Sequence, residues 1–205
     1  MLKIFLNVIL VLFCIFLIVF VIYNCLVDNV SPFISSYDQK EYSVRKIGNS
    51  KTRQDAANYL AILKNKADIL INYMYENQLP DKETSERIYT RWLNCELKET
   101  SSSETSAAYT LNKSSEVRIC IRKDVDSFED INTSMFVLLH ELSHVASISY
   151  NHTEEFKNNF SYITSLASAL GLYYPEDFLN EPKSYCGTII NTTPCSENIC
   201  SFGTI

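Results

Sequence analysis

The chain opens on an apolar run with no polar stripe. Residues 4–23, IFLNVILVLFCIFLIVFVIY, carry no charge and one strongly polar residue, Asn7. At 1.5 Å per residue the run makes about 30 Å of helix, the thickness of a bilayer core. A helix packed against a soluble core would keep a polar face, and this one has none. A cleaved signal peptide is the competing reading. Its apolar region is about 7–15 residues long and ends in small residues, whereas this run is longer and NCLVDNVSPF offers no such site. The pattern therefore predicts a transmembrane anchor over residues 1–27. Lys3 and the amino terminus on one side, against Asp28, Asp38 and Glu41 on the other, predict a single-pass protein whose domain is extracytoplasmic or lumenal.

Residues 28–50, with Pro32, Gly48 and scattered Ser and Asp, read as a linker. Helical spacing then begins. Ala56, Leu60, Leu63, Ala67, Leu70 and Met74 recur at steps of three and four, which predicts a helix over 52–77 stopped by Pro80. A second helix is expected over 83–96, around Ile88, Trp92 and Leu93, followed by a loop in KETSSSETS. Tyr109 and Leu111, then Val117, Ile119 and Ile121, alternate with polar neighbours on either side of NKSS, which is a hairpin signal. Phe136, Leu139, Leu142 and Ala146 mark one face of a helix within 129–149. Phe156, Phe160, Ile163, Ala167 and Leu170 mark another, with Thr153 as N-cap, Glu154 and Glu155 in its first turn and Gly171 just past its end. The tail from 172 reads as irregular. The expected architecture is α+β: a transmembrane helix, then a compact domain over 51–205 of helices and a small antiparallel hairpin or sheet.

The net charge of −6 belongs almost wholly to the part after the apolar run, and no Lys/Arg cluster interrupts it. No electrostatic footprint for nucleic acid is present. Cys95, Cys120, Cys186, Cys195 and Cys200 contain no C-x-x-C pair, so a cysteine zinc site is not indicated. In an oxidising compartment they allow up to two disulfides, with the pairing open.

The chemistry concentrates in HELSH, residues 140–144. On a helix, positions i and i+4 share a face, so His140 and His144 can offer two imidazoles to one metal ion. Glu141, displaced by about 100° around the axis, stands beside them without ligating. This is the spacing by which H-E-x-x-H serves zinc hydrolysis: zinc lowers the pKa of water, and Glu141 acts as general base and passes the proton to the leaving amine. The motif also arises by chance, but here it falls on a predicted helix, and the chain's three histidines all lie within 140–152. Zinc catalysis needs a third protein ligand. His152 is the leading candidate, with Glu154, Glu155, Glu176 and Glu181 as alternatives. Reaching it requires the chain to turn back near Tyr150 and Asn151, and Asn151 tolerates a left-handed conformation. Tyr109, Tyr150 and Tyr185 are open candidates for an oxyanion donor.

HELSHVASISYNHTEEF resembles the WLM and SprT-like group of zinc metalloproteases, in which HExxH is followed after a short turn by a third His and then an aromatic. Here those are His152 and Phe156. The resemblance spans residues 105–175. The surrounding AYTLNK, VRICIR and the YCG at 185–187 resemble membrane-anchored members predicted from large DNA viruses. It implies a compact zincin-like α+β fold, zinc, and hydrolysis of peptide bonds in a protein or peptide substrate. It also implies that Glu116 to Arg122 pairs with extended substrate, unless both edges of that strand are covered. The DNA-crosslink role of nuclear members is not carried over, because this chain is acidic and has the apolar run instead. No glycine separates His144 from His152, unlike in relatives, and no methionine follows His152 to make the Met-turn of metzincins. The expected function is a membrane-anchored zinc metalloprotease. The alternative is a catalytically silent zinc-binding membrane or structural protein of the same fold, against which the presence of Glu141 argues.

Overall fold

The computed structural model describes residues 2–27, 29–102, 104–113 and 115–194, and within the first helix the side chains of residues 7 and 9–20. In chain order the elements are α1 (Leu2–Val27), β1 (Val30–Ile34), β2 (Glu41–Arg45), α2 (Ser50–Glu76), α3 (Lys82–Leu93), β3 (Glu96–Glu99), β4 (Ala108–Leu111), β5 (Glu116–Ile119), α4 (Ile131–Ala146), α5 (Glu154–Ala169), β6 (Lys183–Tyr185) and β7 (Thr188–Ile190). The fold is mixed α+β, as the pattern predicts.

The membrane expectation does not hold. Among the described residues no helix is long and apolar enough to cross a membrane. The single-pass assignment and the extracytoplasmic placement that depended on it fall together.

α2 begins where the Asn49 side chain accepts the Thr52 amide, and its predicted stripe, Ala56, Leu60, Leu63, Ala67, Leu70 and Met74, is fully buried. Each large aliphatic on that stripe contributes about 1.5–3 kcal/mol by leaving water. α4 packs against α2, α3, α5, β4 and β5. Being covered on several sides, it is apolar around most of its circumference, and the ring of Phe136 meets Phe160, Tyr173 and Phe178 at centroid distances of 5.4, 6.0 and 4.7 Å.

The main sheet has order β3-β5-β4, with β3 parallel and β4 antiparallel to β5. The hairpin signal is thus borne out. β3 is not anticipated by the pattern, which reads its residues as a helix end and a loop. The reason is chemical: one of its inward residues is Glu99, fully buried and ion-paired with fully buried Arg122 at 2.8 Å. A charged residue facing the core erases the alternation that marks a strand.

Within 28–50, where a linker is expected, β1 and β2 form an antiparallel hairpin whose Tyr42 and Val44 are buried in the core. It is tied to the main sheet where the Arg45 amide donates to Glu99 Oε2 at 2.7 Å and Arg45 Nε to the Thr100 carbonyl at 2.7 Å. The tail is also more ordered than its composition suggests. Tyr173, Phe178 and Tyr185 are buried, β6 and β7 pair, and a disulfide joins Cys186 to Cys120 across a separation of 66 residues. Closing a loop of that length stabilises the fold by about 4 kcal/mol through the entropy of the unfolded chain. Cys95 is a buried free thiol, and burial pushes it up to about 11. Cys195 and Cys200 lie outside the described residues.

Candidate metal centre

α4 starts where the Asp130 carboxylate accepts the Thr133 amide at 2.8 Å, which sets the helical phase for HELSH. His140 and His144 then project from one face, with ring centroids 5.0 Å apart. The helix ends at Ala146, and the chain turns back through residues 147–153. Asn151 adopts φ 65°, the left-handed conformation expected of it in place of a glycine. The return brings His152 to His140, with their Nε2 atoms 3.0 Å apart. One ligand atom from each of His140, His144 and His152 lies within 4.8 Å of the others.

The ring of Phe156 is 3% exposed and packs against all three imidazoles, its centroid 4.9, 4.3 and 4.7 Å from those of His140, His144 and His152. This aromatic floor accounts for the H-x-x-x-F spacing. Burial lowers the pKa of His140 to about 3 and of His144 to about 4, reinforced by repulsion from neighbouring positive charge. Both are neutral at pH 7, the form in which imidazole ligates metals. Nitrogens about 2.0–2.1 Å from a tetrahedral zinc are about 3.4 Å apart, close to the 3.0 Å between the His140 and His152 Nε2 atoms, so the donor chemistry and spacing of this set fit zinc.

Glu141 is 4% exposed on the adjoining face. Burial pushes its carboxyl up to about 7, opposed by the hydrogen bond that Thr110 Oγ1 donates to Oε2 at 2.7 Å. Thr110 is not singled out by the sequence, since one threonine in a short strand carries no signal until the strand is placed against α4. A cleft of about 390 Å³ opens over these groups, lined on one side by Ala108, Tyr109 and Thr110 and on the other by His140, Glu141, His144 and the 149–152 turn.

The structure separates the remaining candidates. Glu154 pairs with Lys157, Glu176 with Lys183 and Asn132, and Glu181 is exposed on its loop. Glu155 faces the 148–149 backbone rather than the histidines. Tyr109 and Tyr150 line the cleft, whereas Tyr185 is fully buried and donates to the Cys120 carbonyl. β5 has partners on both edges, which corrects the expectation that it pairs with substrate; of the two edge strands of the described sheet, β3 and β4, it is β4 that borders the cleft.

No family model matches the chain. Over 163 residues it is 31% identical to the uncharacterized protein R325 of Acanthamoeba polyphaga mimivirus, a match covering 77% of this chain and 80% of that protein. The chain therefore belongs to one family with that viral protein. Shorter matches of 86 residues join it to the uncharacterized proteins 136R of Invertebrate iridescent virus 6, at 35% identity, and 042R of Invertebrate iridescent virus 3, at 40%. They cover 40% of this chain and 47% and 51% of those proteins. Among solved structures, Wss1 from Saccharomyces cerevisiae aligns with a TM-score of 0.43 and 20% identity over 58% of this chain and 81% of its own. A Wss1 mutant from S. pombe aligns at 0.41 and 18% over 68% and 98%.

Proposed function

We propose that the chain is a zinc-dependent hydrolase that cleaves peptide bonds in a protein or peptide substrate. The observation that carries this reading is the convergence of three imidazoles beside a buried carboxylate at the base of an open cleft. His140, His144 and His152 would hold the metal. When bound, zinc supplies Lewis acidity, lowering the pKa of water and polarising a carbonyl.

The chain's own residues supply the rest. Glu141 is buried on α4 next to His140 and borders the cleft, where its carboxylate can serve as general base. It takes a proton from the attacking water and delivers it to the leaving amine, so the scissile C–N bond breaks to a neutral amine. Thr110 holds the Glu141 carboxylate from the β4 side. The outer edge of β4 borders the cleft, and an extended peptide can add there through main-chain hydrogen bonds.

The test is zinc quantification on the purified chain together with digestion of a broad peptide library. One zinc per chain and cleavage products are expected. Glu141→Gln keeps the size of the side chain but not its basicity. It should retain zinc and melt near wild type while losing at least about 10²-fold in rate. An active Glu141→Gln variant would sink the mechanism. A zinc-loaded wild type that cleaves nothing would favour a zinc-stabilised scaffold.

A further inference from the structure

The turn that carries the chain from α4 to His152 is gripped from both sides by charged groups, a distant lysine and a nearby glutamate. α4 ends with a row of carbonyls lacking helical partners, the negative end of its dipole. Lys113, on the β4–β5 turn, donates from Nζ to the carbonyls of Ser147 at 3.3 Å, of Ile148, and of Ser149 at 2.8 Å. Its ammonium also lies 4.1 Å from the Tyr150 ring centroid. On the other side, the Glu155 carboxylate accepts the Ile148 amide at 2.7 Å, the Ser149 amide at 2.9 Å and the Ser149 hydroxyl at 2.6 Å. Peptide units 148 and 149 thus offer their carbonyls to a cation and their amides to an anion. Arg87 and Arg91 take the carbonyls one step earlier, at Ala146 and at Val145 and Ser147.

This matters because the connection contains no glycine and His152 is exposed. Asn151 supplies the reversal, but a solvated loop bearing a ligand would sample many positions unless side chains held it. We infer that Lys113 and Glu155 are positioning residues that clamp the Ser147–Ser149 turn and thereby set His152 against His140 and His144. The inference rests on the metal-site reading for its consequence, though not for its geometry. It also assigns Lys113 a second role: the residue joins the β4 wall of the cleft to the wall that carries the histidines.

The experiment measures the zinc dissociation constant of the full chain by chelator competition, for Lys113→Met and Glu155→Gln. Each should weaken zinc by about tenfold or more, the usual effect of removing support behind a metal ligand. In a His152→Ala background neither substitution should weaken it further, since the clamp acts through that residue. Wild-type affinity in both variants would overturn the proposal, and so would an equal loss in the His152→Ala background, which signals general loosening. If Glu155→Gln does not fold, Lys113→Met alone carries the comparison. If the wild type binds no zinc, the metal reading fails and the clamp is judged by amide hydrogen exchange. Protected amides at Ile148 and Ser149 that speed up at least tenfold in either variant support it; unchanged exchange at both overturns it.

Discussion

His140 and His144 come from one regular helix, and His152 comes from an irregular turn; the two halves of the site are held by different physics. On α4 the relation between residues 140 and 144 is a property of helical geometry, maintained by backbone hydrogen bonds inside the element. The position of residue 152 depends on Phe156 beneath it, on Asn151 at φ 65°, and on Lys113 and Glu155 around the preceding turn. A ligand pair on a helix is self-contained. A ligand on a turn is only as well placed as the side chains that hold the turn.

The contrast can be broken most decisively at the three histidines themselves. Alanine at His140 or His144 should abolish stoichiometric zinc, read as metal content after dialysis, whereas His152→Ala should weaken binding strongly and leave a residual two-histidine site. Equal loss at all three positions would remove the distinction, and full zinc in His152→Ala with loss in a Glu176 or Glu181 variant would show that the third ligand lies elsewhere.

A smaller effect is expected at Thr110. Thr110→Val keeps the shape but removes the hydroxyl donated to Glu141. A hydrogen bond to a charged group contributes about 1.5–3 kcal/mol, so the rate should fall by about tenfold or somewhat more, with zinc content unchanged. A rate equal to wild type would mean that Glu141 is oriented by the helix alone.

The smallest effect sharpens the turn side through pH. Amides 148 and 149 and the Ser149 hydroxyl lower the Glu155 carboxyl to about 2, from an ordinary 4.5, outweighing its partial burial. A depressed carboxyl stabilises the fold above its unfolded pKa, and that contribution disappears as pH falls through its folded value. The difference in Tm between wild type and Glu155→Gln should therefore be constant above about pH 5, shrink from pH 4.5 downward, and vanish near pH 2. A difference independent of pH would mean that Glu155 acts by packing and not by charge.

Much of this was written in the chain's local patterns. The stripes of α2, α4 and α5, the Thr153 cap, the alternation of β4 and β5 and the His140–His144 pair follow from spacing alone, because each expresses a period or a cap within one element. What spacing could not decide are the places where a polar residue turns inward or distant segments meet. β3 was hidden by buried Glu99, whose partner Arg122 lies on the far side of a hairpin. The β1–β2 hairpin looked like a linker because its pairing and its ties to Glu99 and Thr100 are tertiary. The apolar run at residues 4–23 suggested a membrane span from composition, and the described part of α1 does not bear that out. Glu155 read as a residue serving its own helix dipole and proved to hold the neighbouring turn. Local sequence determines periodicity and caps, since these depend on neighbours a few residues apart. Only the folded chain decides which charge faces which backbone group, because those partners come together through packing.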